Sequence, residues 1–194
     1  MKSEADFIRQ QITVLKDRLG LLESEGKKTM RKGLDLSFSA SGDKTIDKLK
    51  GYNWNYLIEW DAGTSCNIPA KGYGAGYGSF RITMKGDDPE SSIIERVKLG
   101  KGYSCNAAEI DVLAHALSRL GDTLHPDSAS IASVHCIGDS QIALGWLTKK
   151  GVPYSKTCPK FPESIARLRA AMTGFKSVTG QWRTRTESVR IFGH

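Results

Sequence analysis

Apolar residues first recur in steps of four and three: Ile8, Ile12, Leu15, Leu19 and Leu22 share one seam. That spacing predicts an amphipathic helix over residues 1–26. The seam covers barely two to three heptads, short for an autonomous coiled coil. It can dock onto the rest of the chain, pair with itself in a homodimer, or meet another partner. Residues 27–52 are a basic and polar linker, running from Lys27-Lys28-Thr29-Met30-Arg31-Lys32 into Ser37-Phe38-Ser39-Ala40-Ser41-Gly42. From residue 53 the pattern turns to alternating strands and helices, and 53–194 reads as one domain.

Within that domain Tyr56–Trp60 reads as a strand broken by Asp61-Ala62-Gly63, and Gly72–Ile82 as a glycine-rich second strand. A turn at Lys85–Pro89 leads to a third strand, Ile93–Leu99. Ile110, Leu113, Ala114, Leu117 and Leu120 share a face, which predicts a helix over Asn106–Leu120 stopped by Gly121. A buried strand, Ile131–Ile137, ends at Gly138-Asp139; a helix over Ser140–Lys149 follows, then a proline-rich loop to Pro162. A helix over Glu163–Met172 and a strand over Val178–Trp182 complete the pattern. Two readings of the C-terminus compete. Either Ile191–His194 ends the last strand, or that strand ends at Trp182–Arg185 and a final helix begins near Ser188. The spacing from the preceding helix favours the second. The expected fold is α/β, a mixed sheet with helices on both faces.

Composition changes this picture in two ways. The cysteines Cys66, Cys105, Cys136 and Cys158 lie far apart with no paired spacing, which argues against a zinc site or a disulfide scaffold. With a charged N-terminus and no membrane-length apolar run, the expectation is a cytoplasmic protein with no membrane partner. The net charge of +7 is unevenly spread. Residues 51–140 hold 7 basic and 11 acidic side chains, whereas 141–194 hold 10 and 2. An acidic centre beside a basic face suits a metal-dependent enzyme of phosphodiesters.

The candidate chemistry lies in three carboxylates. Asp61 closes the first predicted strand, Glu109 sits in the first turn of the long helix, and Asp139 closes the central strand. Ligands of α/β sheets gather at strand ends. Converging carboxylates repel unless cations hold them, and hard oxygen donors suit Mg²⁺ or Mn²⁺. Two such ions about 4 Å apart can activate a water and stabilise a leaving oxygen. Each residue also has a purely local reading. Asp61-Ala62-Gly63 can be a turn, Asn106-x-x-Glu109 a capping box, and Asp139 a helix N-cap. The Gly72-x-Gly74-x-Gly76 run lacks the helix of a dinucleotide site, so close backbone packing explains it better.

Taken together, the motifs resemble ribonuclease H. Trp60-Asp61-Ala62-Gly63-Thr64-Ser65, with Asn67 and the glycine/tyrosine-rich strand, is similar to that family's Asp-Gly-x-Ser opening and GYG hairpin. Cys105-Asn106-Ala107-Ala108-Glu109 is similar to its Thr-Asn-x-x-Glu helix start, and Gly138-Asp139-Ser140-Gln141 to its Ser-Asp-Ser-Gln. The resemblance spans about 140 residues in the family's order. It implies a five-stranded ribonuclease H-like sheet and cleavage of the RNA strand of RNA–DNA hybrids, with a 3′-hydroxyl left behind. It implies that Asp61, Glu109 and Asp139 hold two Mg²⁺ or Mn²⁺ ions. Gly63, Ser65, Asn67, Asn106 and Gln141 would then contact substrate, Asn106 and Gln141 in the minor groove where 2′-hydroxyls are read.

The chain departs from the family at its end. No aspartate follows Trp182, so the fourth ligand is expected to be His194, Glu187, water or nothing. The family's basic protrusion is also missing, which leaves Lys149 and Lys150, in a loop reaching Lys156 and Lys160, or the Lys27–Lys32 segment to grip the DNA strand. Two other functions stay open: a non-catalytic nucleic-acid-binding domain, and a related nuclease of another substrate.

Overall fold

The computed structural model describes residues 53–148 and 158–193. The seam of residues 1–26 with the homodimer expected of it, the linker, Lys149, Lys150 and His194 lie outside the described residues. In chain order the main elements are β1 (Tyr56–Thr64), β2 (Gly74–Met84), β3 (Ile94–Tyr103), α1 (Cys105–Thr123), α2 (Pro126–Ile131), β4 (Ser133–Gly138), α3 (Gln141–Leu147), α4 (Lys160–Met172), β5 (Ser177–Trp182) and α5 (Arg185–Phe192). The sheet order is β3-β2-β1-β4-β5. β1, β2 and β3 form an antiparallel meander, while β4 lies parallel to β1 and β5 parallel to β4. This is the mixed five-stranded α/β sheet expected from the sequence.

Alternation along β1 divides the sheet into two faces. Ile58, Trp60 and Ala62 point to one side, where Phe80 of β2 and Ile110, Leu113 and Leu117 of α1 complete the main core. Leu57 points to the other side and packs with Ile137 and Trp54. Glu59 shares that second face and is buried between two arginines. Arg81 donates to one carboxylate oxygen, and Arg183 Nη1 donates to the other at 2.6 Å. Arg183 also donates to Ser188 Oγ at 3.0 Å, so this ion cluster ties α5 to β1. A second tie joins α1 to α4. Arg167 donates through Nε to Asp111 Oδ1 at 2.6 Å and through Nη2 to Oδ2 at 2.7 Å, and the Tyr103 hydroxyl donates to Oδ2 at 2.6 Å.

Several boundaries differ from the sequence reading. β1 does not break at Asp61; it runs to Thr64, paired with β2 through Gly76. Gly78 permits this, because a Cβ there would lie 2.7 Å from the Asp61 carbonyl oxygen and 2.6 Å from Val112 Cγ2. Strand and helix therefore close tightly around the start of α1. Ile131 belongs to the short helix α2, which proline at its first turn initiates, and it is largely exposed there. α4 begins at Lys160, ahead of Pro162, since proline is tolerated in a first helical turn. The chain end follows the favoured reading: β5 stops at Trp182 and α5 follows.

Candidate metal centre

Asp61 within β1, Glu109 near the start of α1 and Asp139 just past β4 come together. One carboxylate oxygen from each lies within 4.8 Å of the others. None of the local readings holds. Asp61 lies inside a strand. Ser104, accepting from Ala107 N, caps α1, which leaves Asn106 within the first turn rather than at a cap. Ser140, accepting from Ala143 N, caps α3, so Asp139 is not the cap either. Turn and capping roles therefore do not account for these carboxylates individually.

Their positions are built by neighbours far away in sequence. Trp60, fully buried, donates its indole N–H to Glu109 Oε2 at 2.9 Å, and Ala62 N donates to Oε1 at 3.3 Å. Trp60 is itself wedged against Gly138, where a Cβ would lie 2.7 Å from the indole ring. The Trp182 indole donates to the Asp139 carbonyl at 3.0 Å and holds the strand end in place. Burial, the charge of Asp139 and the charge of Asp61 push the Glu109 carboxyl well above the usual carboxylate range, against the pull of the two N–H donors. Clustering three acids here is costly unless a cation shares them. All donors are hard oxygens, which fits Mg²⁺ or Mn²⁺ far better than a thiophilic metal.

The other predicted residues form a rim with unequal placement. Asn67 Oδ1 accepts from Cys105 N at 3.0 Å, tying the loop after β1 to the start of α1, where Asn106 is exposed. Ser65 Oγ accepts from Ala75 N at 3.0 Å and Gly63 lies under the Tyr77 ring, so both serve local structure. Gln141 is exposed in the first turn of α3, next to Asp139. Lys160 pairs with Glu163 at 2.9 Å. Glu187 does not reach the cluster. Its Oε2 accepts from Thr184 N and Oγ1, each at 3.0 Å, closing a capping box.

The capping box reveals a residue that the sequence reading missed. It starts α5 so that Arg185 Nη1 donates to Asp139 Oδ2 at 3.3 Å and lies 4.0 Å from Asp61 Oδ1. Among the described residues, this guanidinium adjoins the cluster where the sequence resemblance leads one to expect a fourth ligand. The Thr184-x-x-Glu187 pattern was a usable signal for it, since it places Arg185 at the first helical position beyond β5.

No family model matches the chain, and no curated protein matches it either. Solved structures do. The N-terminal ribonuclease H domain of a Mycobacterium tuberculosis protein, solved as a fusion with maltose-binding protein, matches with a TM-score of 0.55 at 15% identity, covering 71% of this chain and 95% of that one. Ribonuclease H1 of the halophilic archaeon Halobacterium salinarum matches at 0.53 and 18% identity, covering 71% and 94%. LC11 ribonuclease H1, solved in complex with an RNA/DNA hybrid, gives the same 0.53, 18%, 71% and 94%. Identities this low speak for architecture rather than activity. The described residues have the ribonuclease H-like fold.

Proposed function

We propose that this protein is a divalent-metal-dependent endoribonuclease that hydrolyses the RNA strand of RNA–DNA hybrids. The observation that carries the reading is the convergence of Asp61, Glu109 and Asp139 oxygens within 4.8 Å, in a fold shared with ribonucleases H. These three side chains would hold Mg²⁺ or Mn²⁺, with two ions as the working stoichiometry. When bound, the metal supplies a nucleophile at neutral pH and charge stabilisation for the phosphate. The protein's own contribution is positional. Trp60 and the Ala62 amide orient the Glu109 carboxylate, Trp182 fixes the Asp139 backbone, and strand pairing fixes Asp61. Asn106 and Gln141, both exposed, would hydrogen-bond sugar hydroxyls and base edges in a minor groove, which separates RNA from DNA. Gly63, Ser65 and Asn67 shape the loop that faces the strand to be cut. Lys149 and Lys150 are proposed to meet phosphates of the DNA strand.

One observation favours a second reading, a binding domain without catalysis. Glu187 is committed to its capping box, and among the described residues Arg185, not a fourth carboxylate, stands beside the cluster. A substrate panel separates the two readings: a labelled RNA–DNA hybrid, single-stranded RNA, duplex DNA and duplex RNA, each with Mg²⁺ or Mn²⁺. The enzyme reading expects cuts confined to the RNA strand of the hybrid. Tight hybrid binding with no cleavage under either metal would establish the binding domain instead. Preferential cleavage of another duplex would point to a related nuclease.

A further inference from the structure

The face of β2 and β3 that turns away from α1 carries a row of cations in line with Asp61. Side-chain parity is fixed from both sides. Glu95 pairs with Arg119 of α1 at 3.3 Å, and Val97 and Leu99 pack on the main core, so Arg96 and Lys98 point the opposite way. Phe80 belongs to the main core, so Ser79 and Tyr77 share the face of Asp61 and Glu59. Cross-strand pairing then gives continuous rows: Asp61, Ser79 and Arg96; Gly63, Tyr77 and Lys98; and, after a bulge, Ala75 with Lys101. The Tyr77 ring lies over Gly63, with its hydroxyl 3.2 Å from where a Cβ would stand, and joins the row to β1. Arg96, Lys98 and Lys101 are all exposed, as is Tyr77 at 40%. Glu95 is the single acidic residue in either strand, and it faces the other side.

We propose that this ledge binds the phosphodiester backbone of the nucleic acid flanking the carboxylate cluster, with Arg96, Lys98 and Lys101 on phosphates and Tyr77 beneath a sugar or base. The inference rests on the function proposed above and extends it to a second contact zone. The dimensions fit. Strands about 4.8 Å apart put Arg96 roughly 10 Å from Asp61 across the sheet, and four residues along β2 span about 14 Å. At about 3.4 Å of rise per phosphate in one strand, that length faces three to four phosphates. An aromatic ring among cations on an open sheet is also the chemistry that tracks nucleic acid without reading its sequence.

The test uses the full chain without divalent metal, a labelled RNA–DNA hybrid longer than the ledge, and fluorescence anisotropy from about 50 to 200 mM KCl, the range over which phosphate contacts are lost. The variant R96A/K98A/K101A is compared with the parent and with a control, K85A/K176A, and thermal melting confirms that both variants fold. The slope of log affinity against log salt is expected to fall in magnitude by about 2 to 3 in the triple variant, near 0.9 per lost contact, and to stay unchanged in the control. A parent that binds while the triple variant keeps its slope overturns the ledge alone; the cations then only guard an edge strand. A parent that binds no hybrid here overturns the ledge, whereas the proposed function falls only if the hybrid also goes uncut with Mg²⁺ and with Mn²⁺.

Discussion

Trp60→Phe separates the indole's duty as a donor from its duty as core packing. Its N–H reaches Glu109 Oε2 at 2.9 Å in a fully buried setting. A hydrogen bond to a charged group contributes about 1.5–3 kcal/mol. The smaller ring also leaves a void worth on the order of 1 kcal/mol. The variant should therefore lose about 2.5–4 kcal/mol at a pH where Glu109 is ionised, the sum of those two effects. The two effects differ in their pH dependence. Glu109 is held above the usual carboxylate range in the folded protein, so ionising it costs stability as pH rises from its unfolded value through its folded one. The indole N–H offsets part of that cost, and without it the folded value rises further. The deficit of the variant must consequently widen with pH through the range above the ordinary carboxylate value and then level off. The void costs the same at every pH. Urea unfolding of both proteins without metal, from pH 5 to pH 8, reads the difference directly. A deficit that is constant across that range would refute the claim that Trp60 supports the charged carboxylate, leaving only a packing role.

Other outcomes follow from the same contacts. Replacing Glu59 with Gln leaves Arg81 and Arg183 buried beside a neutral partner, and unfolding should show a loss of about 3–5 kcal/mol, the cost of breaking a buried pair; a loss below about 1 kcal/mol would mean that the cluster contributes nothing specific. Asp111→Asn should cost less, about 2–3 kcal/mol, because Arg167 is 46% exposed and solvent screens its pairing. A double-mutant cycle with Arg167→Ala checks the coupling, and strict additivity would contradict it. Arg185→Ala removes an exposed cation that competes for Asp139 and Asp61, so Mn²⁺ titration calorimetry should show affinity raised about two- to fivefold, the equivalent of a pair worth up to 1 kcal/mol. Weaker Mn²⁺ binding in that variant would show that Arg185 supports the centre instead.

The sheet and α1 were legible because their signals are local. The seam of Ile110, Leu113 and Leu117 repeats at helical spacing, and β4 reads as an apolar run bounded by Gly138. Asp61 turned out to lie inside β1, but the three carboxylates were legible through the motifs around them, and Asp139, just past β4, also through its place at an element boundary. Their support was not. The Trp60 to Glu109 bond spans 49 residues, and that between Arg183 and Glu59 spans 124, distances over which sequence pattern is silent. The break predicted at Asp61-Ala62-Gly63 failed because β2's glycines admit a neighbour that side chains would exclude. Arg185 is hidden for a related reason: the ribonuclease H resemblance points to an acid at the chain end, and only the Thr184-x-x-Glu187 capping box aims a base there. Tyr77 and the β3 cations became a surface only once pairing registers put them in line with Asp61.

Asp139→Asn tests the central claim most directly. The substitution keeps the shape of the side chain and its backbone contacts but removes one of the three charges that the metal is proposed to need. With Mg²⁺ and a labelled RNA–DNA hybrid, the parent is expected to cut the RNA strand, and the variant to lose activity by a factor of at least about 10², the minimum for losing a charge-stabilising group. Hybrid cleavage at equal rates by both proteins would contradict the assignment of this cluster as the catalytic centre.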